Sequence, residues 1–310
     1  MIKIGTSACV VGDKVRFDGG HKRSAFVAGH IVTHYELVKF CPEVGIGMPV
    51  PRPAIQLREV DERIRLVDSK TGEKDYSDAM AGYFSRQLER LQELDGYILA
   101  AKSPSCGMER IKIHNEDGKL LHRDGVGMFA AALKQAFPDL PVEEDGRLND
   151  QGLRESFFTR VEAYARFRQL VLENMQPSSL IEFHTCYKYL LLAYNPKIYY
   201  ELGPVVANCR QDFDAAVAAY RSKFMQALSK PTTRKKHTNV LMHLQGFFKQ
   251  ELDSKYKSEL TEEIKKYHSG YVPLLAPLTL INHYLREFPN EFLAKQAYLN
   301  PYPLELGLMA

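Results

Sequence analysis

Cys41-Pro42-Glu43-Val44-Gly45-Ile46-Gly47-Met48-Pro49 is the stretch around which the chain reads. Its cysteine closes an apolar run, Tyr35 to Phe40, and is followed by a proline, a carboxylate and a loop of glycines and prolines. Two other cysteines have the same setting. Ser7-Ala8-Cys9-Val10-Val11-Gly12 follows the strand-like opening Ile2-Lys3-Ile4-Gly5, and Lys102-Ser103-Pro104-Ser105-Cys106-Gly107 follows Gly96-Tyr97-Ile98-Leu99-Ala100-Ala101. Each thiol thus lies in a turn of small residues beyond a buried element. In an open α/β sheet the loops past the strand C-termini form the usual site, and three such loops bring together thiols that are distant in sequence.

Three thiols at one point allow three chemistries. Thiolates suit zinc and iron–sulfur clusters. A cysteine beside a base is a nucleophile. A free cysteine also packs as a small hydrophobe, with no chemistry at all. No local CxxC is present, so spacing alone gives little support for zinc or a ferredoxin-type cluster.

A length of 310 residues suggests two domains. No apolar run approaches the ~20 residues needed to span a bilayer, and the opening Met1-Ile2-Lys3-Ile4-Gly5 reads directly as a strand rather than a signal peptide. The expected setting is the cytoplasm, without a membrane partner. Five cysteines, an odd number, argue for reduced thiols rather than a disulfide framework. The net charge of +3 says little, but its distribution says more. Residues 1–150 hold 21 basic and 23 acidic side chains, residues 151–310 hold 20 and 15, and residues 174–249 hold 10 and 4. The middle of the second half is a footprint to test against a polyanion, or else a solvated face.

In the first half, Lys3 to Ser7 reads as a strand and Ala28 to Phe40 as a helix carrying His30, His34 and Val38 along one side. Arg16 and Asp18 are placed to brace the loop after Cys9. Ile55 to Val60 and Ile64 to Val67 alternate at period two around Asp61-Glu62, the pattern of a hairpin. Tyr76 to Leu94 is an amphipathic helix, and Gly96 to Ala101 a wholly apolar central strand. Arg110 to His114 and Lys119 to His122 flank an Asp-Gly turn, a second hairpin. A helix, Gly127 to Phe137, and a strand, Leu140 to Glu144, close the half. The alternation predicts an α/β domain of Rossmann-like character. No G-x-G-x-x-G follows the first strand, so no nicotinamide cofactor is indicated.

From Gln151 strand signals fade and an all-α domain is predicted, with the boundary between residues 147 and 148. Helices are expected over Leu153 to Met175, Leu180 to Tyr194, Asp212 to Leu228, from a Thr232 or Thr233 cap to about Lys249, Ser258 to Tyr267 and Pro277 to Glu287. Arg234-Lys235-Lys236-His237 opens one of them, against the preference of the helix dipole for anions. A bound phosphate would relieve that conflict. Cys186 and Cys209 read as packing residues.

The motifs together resemble a known family. Ser7-Ala8-Cys9 with Val15-Arg16-Phe17-Asp18-Gly19, Cys41-Pro42-Glu43, and Ser103-Pro104-Ser105-Cys106-Gly107 are similar, in order and approximate spacing, to the TudS thiouracil desulfidases over residues 1–145. Residues 155–305 resemble the YbgA-like domain through Phe183-His184-Thr185-Cys186-Tyr187-Lys188, Asn239-Val240-Leu241-Met242-His243 and Gly270-Tyr271-Val272-Pro273-Leu274. The fusion resembles the RudS type of tRNA 4-thiouridine desulfidase. The resemblance implies a [4Fe-4S] cluster on Cys9, Cys41 and Cys106, with one iron free of protein ligand. It implies a hydrolytic, non-redox conversion of 4-thiouridine to uridine, with sulfide leaving through a cluster-bound sulfur. Glu43 is the implied general base or acid, and Ser103 the implied proton-transfer partner, with Ser105 as the nearer alternative. A tRNA partner gives the helical half a purpose, with Lys188, Arg234, Lys235 and Lys236 as phosphate contacts. Two other readings stand beside it: a desulfidase for free thiobases or thionucleosides, and a non-enzymatic iron–sulfur protein that binds RNA or senses redox state.

Overall fold

In this computed structural model, which describes residues 1–306, two short apolar segments set the frame of the first half. β1 (Lys3–Ser7) is buried along almost all its length and lies at the centre of a parallel sheet. β2 (Glu36–Phe40) pairs with it in parallel from Lys3↔Glu36 to Ser7↔Phe40. After β2 comes a single helical turn, α1 (Pro42–Gly45), where Pro42 occupies the first helical position that tolerates a missing N–H. β3 (Ile55–Val60) and β4 (Arg63–Asp68) form the first hairpin, with Asp61 and Glu62 at positive φ in its turn. α2 (Ser77–Gln92) then covers the sheet, and β5 (Gly96–Leu99) enters on the other side of β1. β6 (Ile111–His114) and β7 (Leu120–Gly125) form the second hairpin, followed by α3 (Met128–Ala136) and β8 (Val142–Glu144).

The parallel sheet has the order β2-β1-β5-β8. Its register sets Ser7 beside Phe40, and Leu99 beside Glu144. The C-terminal ends of all four strands therefore share one sheet edge. The two hairpins join each other through parallel pairing of β3 with β6 into a second sheet, β4-β3-β6-β7. Tyr97 packs its ring against Phe40 and Phe129, and Phe129 also meets Tyr83 and Phe84. Burying such rings contributes roughly 1.5–3 kcal/mol each, and this cluster ties β2, β5, α2 and α3 together directly behind the strand ends.

The helix expected over Ala28 to Phe40 is not there. A π-helical turn over Phe26–His30 and a 3-10 turn over Ile31–Thr33 lead into β2 instead. Five residues of parallel pairing with β1 outweigh the four-residue spacing of His30, His34 and Val38.

The chain divides into two compact units at Phe157/Phe158, within α4 (Gln151–Phe167). The second unit is helical. A π-helical turn at Arg168–Leu172 follows α4. Then come α5 (Pro177–Cys186), α6 (Lys188–Tyr194), α7 (Pro196–Ala207), α8 (Phe213–Leu228), α9 (Arg234–Gln245), α10 (Ser254–Ser269), α11 (Leu275–Glu287) and α12 (Glu291–Ala294). Capping side chains start most of them: Asn195, Asp212, Thr233, Asp253 and Asn290 each accept a backbone N–H three residues on. Thr233 rather than Thr232 caps α9; the Thr232 hydroxyl donates to the carbonyl of Ala193.

The single helix expected over Leu180 to Tyr194 is two. Tyr187 breaks it, and the carbonyls of Thr185 and Cys186 accept from Gln296 Nε2 and Ala297 N, both at 2.9 Å. α7 runs unbroken through Gly203-Pro204, holding Ile198, Leu202 and Val206 in the core. Among the described residues no helix is long and apolar enough to cross a membrane.

Candidate functional site

The shared edge of the parallel sheet gathers the loops in which the three cysteines lie. Cys9 sits in the 3-10 turn directly after β1, Cys41 immediately after β2, and Cys106 in the loop that follows β5. All three line one cavity of about 370 Å³, together with Glu43 and Ser103. Cys106 is fully buried, while Cys9 and Cys41 are partly accessible. Cys186 and Cys209 lie in the helical unit, Cys209 buried.

The polar contacts in this cavity form a chain. The Ser103 hydroxyl donates to Glu43 Oε1 at 3.4 Å. The same Oγ accepts the backbone N–H of Ser105 at 3.2 Å and of Cys106 at 3.1 Å, which folds the Ser-Pro-Ser-Cys loop around it. Glu43 Oε2 is 3.6 Å from Cys41 Sγ and 3.9 Å from the Arg52 guanidinium. Ser105 does not reach this chain: its hydroxyl is buried and has no hydrogen-bond partner among the described residues. Of the two serines considered for proton transfer, Ser103 is the one in contact with the carboxylate.

Electrostatics of the pocket follow from burial. Removal from water pushes the Cys9 thiol up to about 11 and Cys41 up to about 12, and the Glu43 carboxylate adds to both. Burial raises Cys106 as well, again reinforced by Glu43. So shifted, all three thiols keep their protons at neutral pH, although Arg16, Lys22 and Arg52 oppose part of the rise at Cys9 and Cys41. A cationic centre reverses that balance, since thiolates and not thiols ligate metals. Among the described residues no three His, Cys, Asp or Glu side chains converge closely enough to share a single metal ion. All three thiols line the same cavity, and such a soft sulfur donor set suits an iron–sulfur cluster.

Three further side chains brace this site. Arg52, between Pro51 and Pro53, has a side chain only 5% exposed and donates to the carbonyl of Val15 at 2.8 Å. Asp145, one residue past β8, accepts from Lys22 Nζ at 2.9 Å and from Ala101 N at 2.8 Å. Ser7, the last residue of β1, accepts from Ala100 N at 3.0 Å. Asp145 and Ser7 follow from the strand-end rule; Arg52 does not. Arg16 and Asp18 do pair, at 3.8 Å, as a brace of their own loop.

In the helical unit the basic residues are divided. Arg234 is exposed along part of its length, but its guanidinium donates to the carbonyl of Tyr267, near the end of α10, and lies over the Tyr267 ring. Lys236 Nζ donates at 2.7 Å to the carbonyl of Tyr194, the last residue of α6. Cations at helix C-termini are favourable, so the charges that oppose the dipole of α9 complement those of its neighbours. Lys188 lies over the rings of Tyr189 and Phe292. Lys235 is exposed. Burial holds His237 and His184 down to about 4, with Lys188 adding to the effect on His184. They hydrogen-bond the Tyr298 and Tyr220 hydroxyls at 2.9 and 3.1 Å.

Comparison with known proteins divides the chain in the same way. Residues 4–145 match the family model described as 2-thiouracil desulfurase, and residues 188–303 match the family described as a protein of unknown function, DUF1722. The chain is 34% identical over 163 residues to the uncharacterized protein YbgA of Escherichia coli K12, covering 52% of this chain and 96% of that protein. It is also similar to the solved [4Fe-4S]-dependent thiouracil desulfidase TudS, 28% identical with a TM-score of 0.39, over 50% of this chain and 99% of that one. The chain belongs to the YbgA family through its helical half, which is fused to an α/β domain of the 2-thiouracil desulfurase type.

Proposed function

We propose that this protein is an iron–sulfur-dependent desulfidase that converts 4-thiouridine in tRNA to uridine and sulfide. The observation that carries the chemistry is the single cavity lined by three strand-end cysteines together with the hydrogen-bonded pair Glu43 and Ser103. Cys9, Cys41 and Cys106 are the residues to hold a [4Fe-4S] cluster, a soft all-sulfur donor set suited to iron. When bound, such a cluster supplies a sulfur-seeking iron that makes the carbon of a thiocarbonyl more electrophilic.

The remaining work belongs to the protein. Water adds to that carbon, a C–O bond forms and the C–S bond breaks; the two hydrogens of water end on sulfide, as hydrogen sulfide or as hydrosulfide and a proton. No electrons are exchanged. Glu43 takes the proton from the incoming water, and Ser103, whose hydroxyl already donates to Glu43 Oε1, relays it toward the departing sulfur. Two amides hold Ser103 Oγ in place for this.

The tRNA part of the reading rests on charge. The excess of basic residues over 174–249 supports a polyanionic partner. Lys188, Arg234, Lys235 and Lys236 are its proposed phosphate contacts. The engagement of Arg234 and Lys236 with helix carbonyls favours a narrower second reading, in which free thiobases or thionucleosides are the substrate.

The two readings separate by experiment. The tRNA reading predicts that Lys235→Glu weakens turnover of 4-thiouridine-containing tRNA, that the loss grows less at high salt, and that turnover of free 4-thiouridine is unchanged. Equal activity of wild type and variant on tRNA at low salt would leave the free-base reading standing.

A further inference from the structure

Arg52 is the most buried cation at the thiol cavity, and neither its sequence nor the family comparison assigns it a role. Lys22 and Arg16, which also line the cavity, have side chains 34% and 33% exposed and pair with Asp145 and Asp18. Arg52 is 5% exposed. A buried charge is costly unless it is paired and hydrogen-bonded, so its partners define what it does. One nitrogen, Nη1, donates to the carbonyl of Val15 at 2.8 Å, and the other, Nη2, lies 3.9 Å from Glu43 Oε2. Its backbone N–H donates to the carbonyl of Phe17 at 2.8 Å. Arg52 thus fastens the loop after Cys9 to the segment after Cys41 and sets a fixed positive charge against one oxygen of Glu43.

We infer that Arg52 is a positioning residue: by engaging Oε2 it keeps Oε1 of Glu43 directed at the Ser103 hydroxyl. The inference rests on the desulfidase reading, in which Glu43 and Ser103 move the proton. The geometry suits arginine in particular. Its planar fork reaches the Val15 carbonyl and the carboxylate together, whereas lysine offers one point charge. A carboxylate 13% exposed, with a thiol 3.6 Å from the same Oε2, has no other cation as its ion-pair partner among the described residues. Without Arg52 the carboxylate is free to rotate away from Ser103, and displacements of about 1 Å at a reacting group can cost on the order of 100-fold in rate.

The test is a double-mutant cycle in the full-length protein, with Arg52→Met, Glu43→Gln and the pair. It has two readouts: denaturant unfolding of the metal-free protein, and kcat and KM on 4-thiouracil after anaerobic cluster reconstitution. Arg52→Met is expected to lower kcat roughly 10- to 100-fold with KM little changed and cluster absorbance retained. Added to Glu43→Gln, it should lower kcat little further. The two substitutions should also be non-additive in the unfolding of the metal-free protein, which reads their contact without any catalysis. Arg52→Lys, which keeps the charge, serves if the methionine variant does not fold, and should restore stability more than kcat.

Additive effects in both readouts, or a loss of kcat explained wholly by lost cluster, would overturn the inference and leave Arg52 a fastener of the Val15–Phe17 loop. If the wild type desulfurates nothing while the unfolding cycle remains non-additive, the desulfidase reading has failed and the Arg52–Glu43 contact has not.

Discussion

Ser103 has two duties that a pair of substitutions can separate. Its Oγ accepts two backbone N–H groups and its hydroxyl hydrogen faces Glu43. Ser103→Ala removes both. Cys106 is fully buried, so its amide finds no water in exchange. Two lost bonds at ~1 kcal/mol each place the cost near 2 kcal/mol, or roughly 4–8 °C in Tm for a unit of this size. Turnover should fall further than this, by about 100- to 10,000-fold, if the hydroxyl moves the proton. Ser103→Asn supplies a side-chain oxygen for the two amides but no hydroxyl. It should recover most of the melting temperature and little of kcat, measured by differential scanning calorimetry of the metal-free protein and by sulfide release after reconstitution. If Ser103→Asn restores turnover together with stability, the residue is a turn former, and the proton path through it is refuted.

Gly127→Ala would place a methyl group 2.5 Å from the carbonyl oxygen of Ser105 and 2.8 Å from the amide of Gly107. Because both are backbone atoms, the Ser-Pro-Ser-Cys loop must shift; a cost of about 1–3 kcal/mol in denaturant unfolding should accompany weaker cluster retention. His237, held at about 4 against an ordinary 6.5, is neutral in the native state while the unfolded chain takes up a proton below 6.5. The stability it preserves is therefore complete above that pH and is lost as the pH falls toward 4, by roughly 2 kcal/mol after allowing for partial exposure. His237→Gln should flatten that part of the acid unfolding profile. Serine at Cys9, Cys41 or Cys106 should abolish cluster absorbance and activity, whereas Cys186→Ser and Cys209→Ser should leave both intact; full iron content in any of the first three would remove that residue from the ligand set.

The sheet edge was legible because its parts are local. β1 and β5 are short apolar runs followed by small-residue turns, and the two hairpins carry their own period and turn residues. β2 was not, because it lies at the sheet edge with only Phe40 buried, so Glu36 and Lys39 blur its period and a distant partner decides its conformation. The pairing of the two hairpins through β3 and β6, and the break at Tyr187, are likewise decided by residues far along the chain. The cysteines and Glu43 could be found from their place after a strand or an apolar run. Arg52 could not, since nothing within its proline-flanked segment shows that it folds back onto Val15 and Glu43. Within its own sequence the basic start of α9 conflicts with the helix dipole, whereas in the fold Arg234 and Lys236 reach the C-terminal carbonyls of other helices.

In the proposed function the thiol cavity removes sulfur from a thiolated pyrimidine. The most direct test of that function follows the near-ultraviolet thiocarbonyl absorbance of 4-thiouridine, in tRNA and as the free nucleoside, with anaerobically reconstituted protein and a parallel assay of sulfide. Loss of absorbance with one sulfide per thiocarbonyl is expected without added reductant, and none with Cys41→Ser. A fully loaded protein that leaves both substrates unchanged, or a Cys41→Ser variant that turns them over at the wild-type rate, would contradict it.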